Sequence, residues 1–226
     1  MKAVFFDLFF TLVHPQYLTG RNEYDVLGIS AQEWEAYAEN SELYNERALG
    51  KIKDEKEIVD KIVRSMPYKI DDRQLTELLA LRKDRMKRAL LEVDEQILHT
   101  LRSIADKDIK ICLISNADVI DCKYWSSSPL APLFDAAVFS CDVGMMKPDL
   151  KMYQYALNSI HVSAKESLFV GDGGFDELAG ARRAGMKSVF TEYLDRKADE
   201  KRKALLNDAD YCIQQFDELI DLAAQI

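Results

Sequence analysis

The chain has 226 residues, 48% of them hydrophobic and 31% charged, with a formal net charge of −9. That length suits one sizeable domain or a core with an inserted module, and the apolar fraction excludes wholesale disorder. The acidic balance argues against a nucleic-acid or anionic-membrane surface, where phosphates want clustered Lys and Arg, yet a small anionic substrate can still be held by a metal ion and a few local cations.

Residues 3–12 open the chain as an apolar run carrying one carboxylate, Asp7, with Thr11 a short step later. Such a Val/Phe-rich run predicts a strand buried on both faces. His14-Pro15 ends it, because proline cannot continue a central ladder. Residues 30–91 are helical in pattern. Trp34, Tyr37, Tyr44 and Ala48 trace one apolar stripe, Ile58, Val59, Ile62, Val63 and Met66 a second, and Leu75, Leu78, Leu79, Met86 and Leu90 a third.

Beyond Val93 the pattern alternates. Ile97, Leu98, Leu101 and Ile104 mark a helix, and 109–114 a short strand ending at Ser115-Asn116. A strand is expected at 136–139 and a helix at 150–160. The strand at 167–170 ends at Gly171-Asp172, and a helix follows at 177–184. Strands at 187–191 and 210–213 and a helix at 218–224 close the chain. The charged run 195–203 reads as a solvated helix face. Alternating strands and helices predict an α/β fold, a doubly wound parallel sheet with right-handed crossovers. Residues 1–13 and 93–226 then form the core, and 14–92 an inserted all-α cap over the sheet's carboxyl edge.

Cys112, Cys122, Cys141 and Cys212 lack metal-site or disulfide spacing and read as reduced thiols. No secretory leader pattern opens the sequence and no apolar stretch reaches membrane-spanning length, so a cytoplasmic protein is expected, with no membrane or nucleic-acid partner.

Three strand ends carry polar groups: Asp7, Ser115-Asn116 and Asp172. In a parallel sheet they share one edge, where open α/β sheets bind ligands. Asp7 and Asp172 on neighbouring strands would repel unless a proton, a lysine or a cation intervened. Mg²⁺, a hard ion with oxygen ligands, suits that place beside a phosphate. Ser115 offers a hydroxyl to anionic oxygens, and Lys147 is a loop cation within reach of the same edge. Taken singly, each residue is also explained as a cap, a turn former or a surface charge.

In order, Asp7…Thr11, Ser115-Asn116, Lys147-Pro148 and Gly171-Asp172 with Asp176 and Glu177 resemble the four motifs of the haloacid dehalogenase superfamily, and residues 179–186 extend the match. The resemblance covers the whole chain, with the cap inserted after the first motif. It implies a Rossmann-like core, an aspartate nucleophile and, in most members, Mg²⁺-dependent phosphoryl transfer. Asp7 would attack the substrate. Ser115 would hold the transferring group's oxygens, with Thr11 and Asn116 shaping the substrate site. Lys147 would bridge nucleophile and substrate. Asp7, the backbone carbonyl of Phe9 and Asp172 would hold the metal, with Asp176 or Glu177 as a water-mediated partner; the downstream register favours Glu177.

Two residues depart from that pattern. Where the family's phosphatases carry a second Asp, which protonates the leaving alcohol, this chain has Phe9; loss of a general acid–base costs about 10²–10⁴ in rate. Phe10 stands where the family usually has Gly. The superfamily's dehalogenases also carry an aromatic residue at the Phe9 position, and Tyr153 matches their Tyr, but they dispense with the metal-binding Asp that Asp172 retains. The phosphonate-cleaving branch needs a cap lysine, for which Lys51, Lys53 and Lys56 are available.

The expected function is therefore Mg²⁺-dependent, phosphatase-type hydrolysis of a small phosphorylated metabolite, weak toward poor leaving groups. The alternatives are hydrolysis of a 2-haloacid, and a degenerate member that binds a phosphorylated ligand without turnover. The cap should choose the substrate by closing over it, with Tyr17, Arg21, Trp34, Tyr37, Tyr44 and Arg47 as candidate pocket residues and 124–129 as a candidate entrance segment.

Overall fold

The computed structural model describes residues 1–225 and contains one six-stranded, fully parallel sheet in the order β3-β2-β1-β4-β5-β6. The strands are β1 (Ala3–Phe6), β2 (Lys110–Ser115), β3 (Ala136–Phe139), β4 (Ser167–Gly171), β5 (Lys187–Thr191) and β6 (Tyr211–Ile213). β1 lies inside the sheet, between β2 and β4. All four of its side chains are fully buried, Val4 and Phe6 in one apolar layer and Ala3 and Phe5 in the other, as the strand period of two requires. Each buried Phe contributes about 1.5–3 kcal/mol.

After β1 come five helices, α1 (Glu23–Leu27), α2 (Ala31–Ala38), α3 (Ser41–Ala48), α4 (Glu55–Arg64) and α5 (Asp72–Leu91). Side chains of Ser30, Asp54 and Asp71 accept from backbone N–H groups at the starts of α2, α4 and α5, caps worth about 1 kcal/mol each. Trp34, Ile58, Val59, Ile62 and Leu78 form an apolar cluster of their own, joined by Ile120 from beyond β2. Then α6 (Glu95–Ala105) precedes β2, α7 (Ser140–Val143) and α8 (Leu150–Ser159) follow β3, α9 (Glu177–Arg183) follows β4, and α10 (Asp199–Asp208) and α11 (Glu218–Gln225) flank β6. Residues of α6 and α11 cover one face of the sheet and those of α8 and α9 the other.

Two expectations are corrected. The opening strand ends at Phe6, not at residue 12. Leu12 and Val13 donate backbone N–H groups to the Leu8 carbonyl and Phe10 donates to Val13, so the ladder stops while Leu8, Leu12 and Val13 stay buried. Hydrophobicity persists through a turn and hides the strand's end. The run 195–203 is not one solvated helix face, because α10 begins only at Asp199 and the Lys197 side chain is turned in to Asp172. The four cysteines are unbridged. Among the described residues no helix is long and apolar enough to cross a membrane.

Candidate active site

β1 lies between β2 and β4, and Phe6 is in register with Leu113 on one side and Val170 on the other. The chain thus builds outward on one side of β1 and returns on the other, the switch point where doubly wound sheets bind ligands. Asp7 follows β1, Ser115 ends β2 and Asp172 follows β4, so the three sequence motifs meet at one edge.

The Lys147 ammonium lies 2.5 Å from Asp7 Oδ1 and 2.5 Å from Glu177 Oε2. Thr11 donates its hydroxyl to Asp7 Oδ2 at 3.2 Å, so both oxygens of Asp7 are oriented. Thr11 is fully buried and engages the carboxylate itself. Asn116 lines the cavity, but its side chain is committed to Lys147: Oδ1 accepts from the Lys147 N–H at 2.8 Å and Nδ2 donates to its carbonyl at 3.0 Å. It positions the lysine. Among the described residues, Ser115 Oγ is buried without a hydrogen-bond partner, and such a group costs free energy until an acceptor arrives.

Of the two acids in the fourth motif, only Glu177 enters the site. Asp7, Asp172 and Glu177 are each at most 7% exposed and each offers an oxygen within 4.8 Å of the others. Asp176 is exposed, its backbone left-handed at φ 53°, outside that group. Gly171 makes room for Glu177: a Cβ there would lie 2.1 Å from Glu177 Oε1.

Burial pushes the Asp7 carboxyl up; Lys147 pulls it down and Asp172 pushes it up again, leaving it above its ordinary value. Glu177 is raised well above the usual carboxylate range by burial first and then by Asp7. For Lys147 burial acts downward, but Asp7 and Glu177 outweigh it, and the group stays an ammonium. The cluster also holds Lys197, 2.5 Å from Asp172 Oδ2. Three carboxyl groups, Asp7, Asp172 and Glu177, thus gather around two ammoniums, Lys147 and Lys197. Hard oxygen donors in surplus over cations fit Mg²⁺, with Asp7, Asp172 and Glu177 as the residues that would hold it.

Above the edge is a cavity of about 450 Å³ between the sheet and the helical block. Phe9 and Phe10 line it from the core side, Trp34 and Tyr44 from α2 and α3, and Tyr17 from the segment before α1. Of the other pocket candidates, Arg21 is exposed and pairs with Glu77, Tyr37 packs against the apolar cluster of the helical block, and Arg47 is buried in ion pairs. Lys51, Lys53 and Lys56 are exposed and do not line the cavity. Tyr124 and Trp125 of the supposed entrance segment pack on the core instead. Tyr153 is fully buried and donates to the Glu177 carbonyl at 2.8 Å, which fixes the start of α9.

The sequence reading missed Arg82, Arg85, Asp121, Phe175 and Lys197, all of which line the cavity. Arg82 had a signal: it lies four residues after Leu78 on the apolar stripe of α5, where a charge demands a buried partner. Its Nη2 lies 3.2 Å from Asp118 Oδ2 and 2.9 Å from Asp121 Oδ1. Phe175 stacks on Tyr44 with ring centroids 5.0 Å apart, and Tyr44 donates its hydroxyl to the Asn116 carbonyl. For Lys197 the sequence held no signal, since Asp172, the partner that brings it to the site, is distant in the chain.

The chain resembles known proteins in family and in fold. A family model described as haloacid dehalogenase-like hydrolase matches residues 1–185. A glyceraldehyde 3-phosphate phosphatase of Methanocaldococcus jannaschii is 26% identical over 173 residues, covering 74% of this chain and 72% of that protein. The L-2-haloacid dehalogenase from Xanthobacter autotrophicus with chloropropionic acid covalently bound superposes with a TM-score of 0.70 at 17% identity, covering 100% and 99% of the two chains. A HAD family enzyme from Bacteroides thetaiotaomicron, in complex with magnesium and inorganic phosphate, gives 0.65 at 17% identity over 89% of this chain and 98% of that one.

Proposed function

This chain belongs to the haloacid dehalogenase-like hydrolases, and within that family we propose that it hydrolyses a small phosphorylated metabolite by phosphatase-type chemistry, with Asp7 as nucleophile and Mg²⁺ as cofactor. The observation that carries this reading is the buried group of Asp7, Asp172 and Glu177: displacement of a halide has no use for two further carboxylates beside the nucleophile. The phosphatase relative from M. jannaschii supports the same side.

In this reading Asp7, oriented by Thr11 and Lys147, attacks phosphorus, and the bond to the leaving oxygen breaks. Ser115, whose hydroxyl is unpaired, donates to a phosphoryl oxygen, and Lys147 offsets the charge that grows there. When bound, Mg²⁺ supplies Lewis-acid stabilisation of that charge. Water then attacks phosphorus of the aspartyl phosphate and restores Asp7. Phe9 has no proton to give, so the leaving group departs as an anion. Substrates with acidic leaving groups are therefore favoured. Residues 14–92 act as the cap whose closure excludes water from the cavity.

A second reading, hydrolysis of a 2-haloacid, is favoured by Phe9, because a halide leaves without a proton, and by the match of Tyr153 to the dehalogenases' Tyr. Phosphate release from 4-nitrophenyl phosphate that requires Mg²⁺ and disappears in Asp7→Asn bears out the first reading. Metal-independent chloride release from 2-chloropropionate, without phosphate release, bears out the second.

A further inference from the structure

Lys197 belongs to none of the four motifs, yet its ammonium touches the carboxylate on which the metal reading depends. It lies 2.5 Å from Asp172 Oδ2 and 2.5 Å from Asp195 Oδ2, its side chain only 8% exposed. The other oxygen of Asp172 accepts from the Gly174 N–H at 3.1 Å. Lys197 therefore occupies the oxygen of Asp172 left free by the backbone. The two lysines of the site are held differently. Lys147 is 2% exposed, and Asn116 fixes its backbone on both sides. Lys197 stands in the segment between β5 and α10 that belongs to neither element, on a flexible four-carbon stem. A divalent ion and an ammonium cannot share one oxygen at this separation without strong repulsion in a buried setting. Asp195, 37% exposed, already touches the same ammonium and can keep it paired after it leaves Asp172.

We propose that Lys197 is a tethered counter-cation of Asp172 that a divalent ion must displace, so that metal binding here is an exchange, with the ammonium passing wholly to Asp195. In the metal-free protein Lys197 holds Asp172 in place and spares it from repulsion by Asp7 and Glu177; in the metal-bound protein it stands aside in the cavity wall. The inference rests on the Mg²⁺ reading above.

The test is Mg²⁺ binding by titration calorimetry on the wild-type protein, Lys197→Met and Lys197→Arg, with thermal unfolding measured in EDTA and in Mg²⁺. Removal of the competing charge should tighten Mg²⁺ binding about tenfold or more, and the arginine variant should stay near wild type. Lys197→Met should also unfold at a lower temperature than wild type in EDTA and gain more from Mg²⁺. If Lys197→Met is too unstable to titrate in EDTA, Lys197→Gln, which keeps a polar group, carries the same expectation. Equal Mg²⁺ affinity in wild type and the neutral variants overturns the exchange while leaving the metal reading intact. No Mg²⁺ binding in any of these proteins overturns both.

Discussion

Phe9 lines the cavity beside Asp7 and has no ionisable atom, so one substitution addresses the chemistry it removes. Phe9→Asp should raise kcat on an alkyl phosphomonoester by up to about 10²–10⁴. It should change turnover of 4-nitrophenyl phosphate little, because nitrophenolate needs no proton to leave. A comparison of the two substrates in both proteins checks this, and an equal effect on both would contradict the role assigned to the missing acid. Phe10 was legible as an oddity only. Its φ of 61° is the left-handed backbone that a Gly would adopt freely and that costs other residues about 1–2 kcal/mol. The choice between Asp176 and Glu177 was half legible, from register alone. Gly171, whose missing side chain admits the Glu177 carboxylate, favours Glu177. Gly171→Ala should therefore displace Glu177 and weaken Mg²⁺ binding, measured by the same calorimetry. Unchanged affinity would remove Glu177 from the metal site.

Elements were read well where their periodicity was clean and less well where burial and conformation part company. The central strands and the helices of the block follow from apolar spacing. The end of β1 did not, since Leu8, Leu12 and Val13 are buried in a turn as fully as in a strand. Nor does spacing show how the helical block is tied to the sheet. That link is ionic. Arg82 of α5 and Arg47 of α3 meet Asp118, and Asp121 accepts from Arg82 as well. Asp118 and Asp121 also brace one another, since each accepts the other's backbone N–H. Burial raises Asp118 above the usual range and its neighbour Asp121 raises it further. For Asp121 burial acts upward too, but Arg82 and Arg47 outweigh it and hold it low. Removing one partner leaves charges buried and unpaired, a loss of about 3–5 kcal/mol. Arg82→Met should show that loss in urea unfolding. A change below about 1 kcal/mol would mean that apolar contacts, not these pairs, dock the helices.

At the scale of the molecule, the helical block and the sheet enclose one cavity over the carboxylate group. Several contacts hold them together there: the Tyr44–Phe175 stack, the Tyr44 hydroxyl on the Asn116 carbonyl, and Gly50, which packs so closely on Cys141 that a Cβ would lie 2.1 Å from its carbonyl oxygen. Tyr44, Phe175 and Asn116 line the cavity itself, so occupancy of the site and stability of the whole chain should be linked. A ligand at one hundred times its Kd adds about 2.7 kcal/mol. Mg²⁺ should accordingly raise the wild-type Tm, and Asp172→Asn should lose most of that rise. An equal rise in both proteins would place the ion elsewhere. The overall architecture and its reacting edge were legible because motif order and strand alternation are local patterns. The cavity walls were legible in part: the candidates Tyr17, Trp34 and Tyr44 line the cavity, whereas Arg85 and Lys197 join it through partners that no local pattern relates.

The account turns on whether Asp7 carries the phosphoryl group. Acid-quenched single turnover of 4-nitrophenyl phosphate in Mg²⁺, followed by peptide mass spectrometry, reads this directly. The account predicts one phosphoryl group on the peptide that contains Asp7, absent in Asp7→Asn. Phosphate release with Asp7 unmodified at every quench time, or turnover that survives Asp7→Asn, would contradict it.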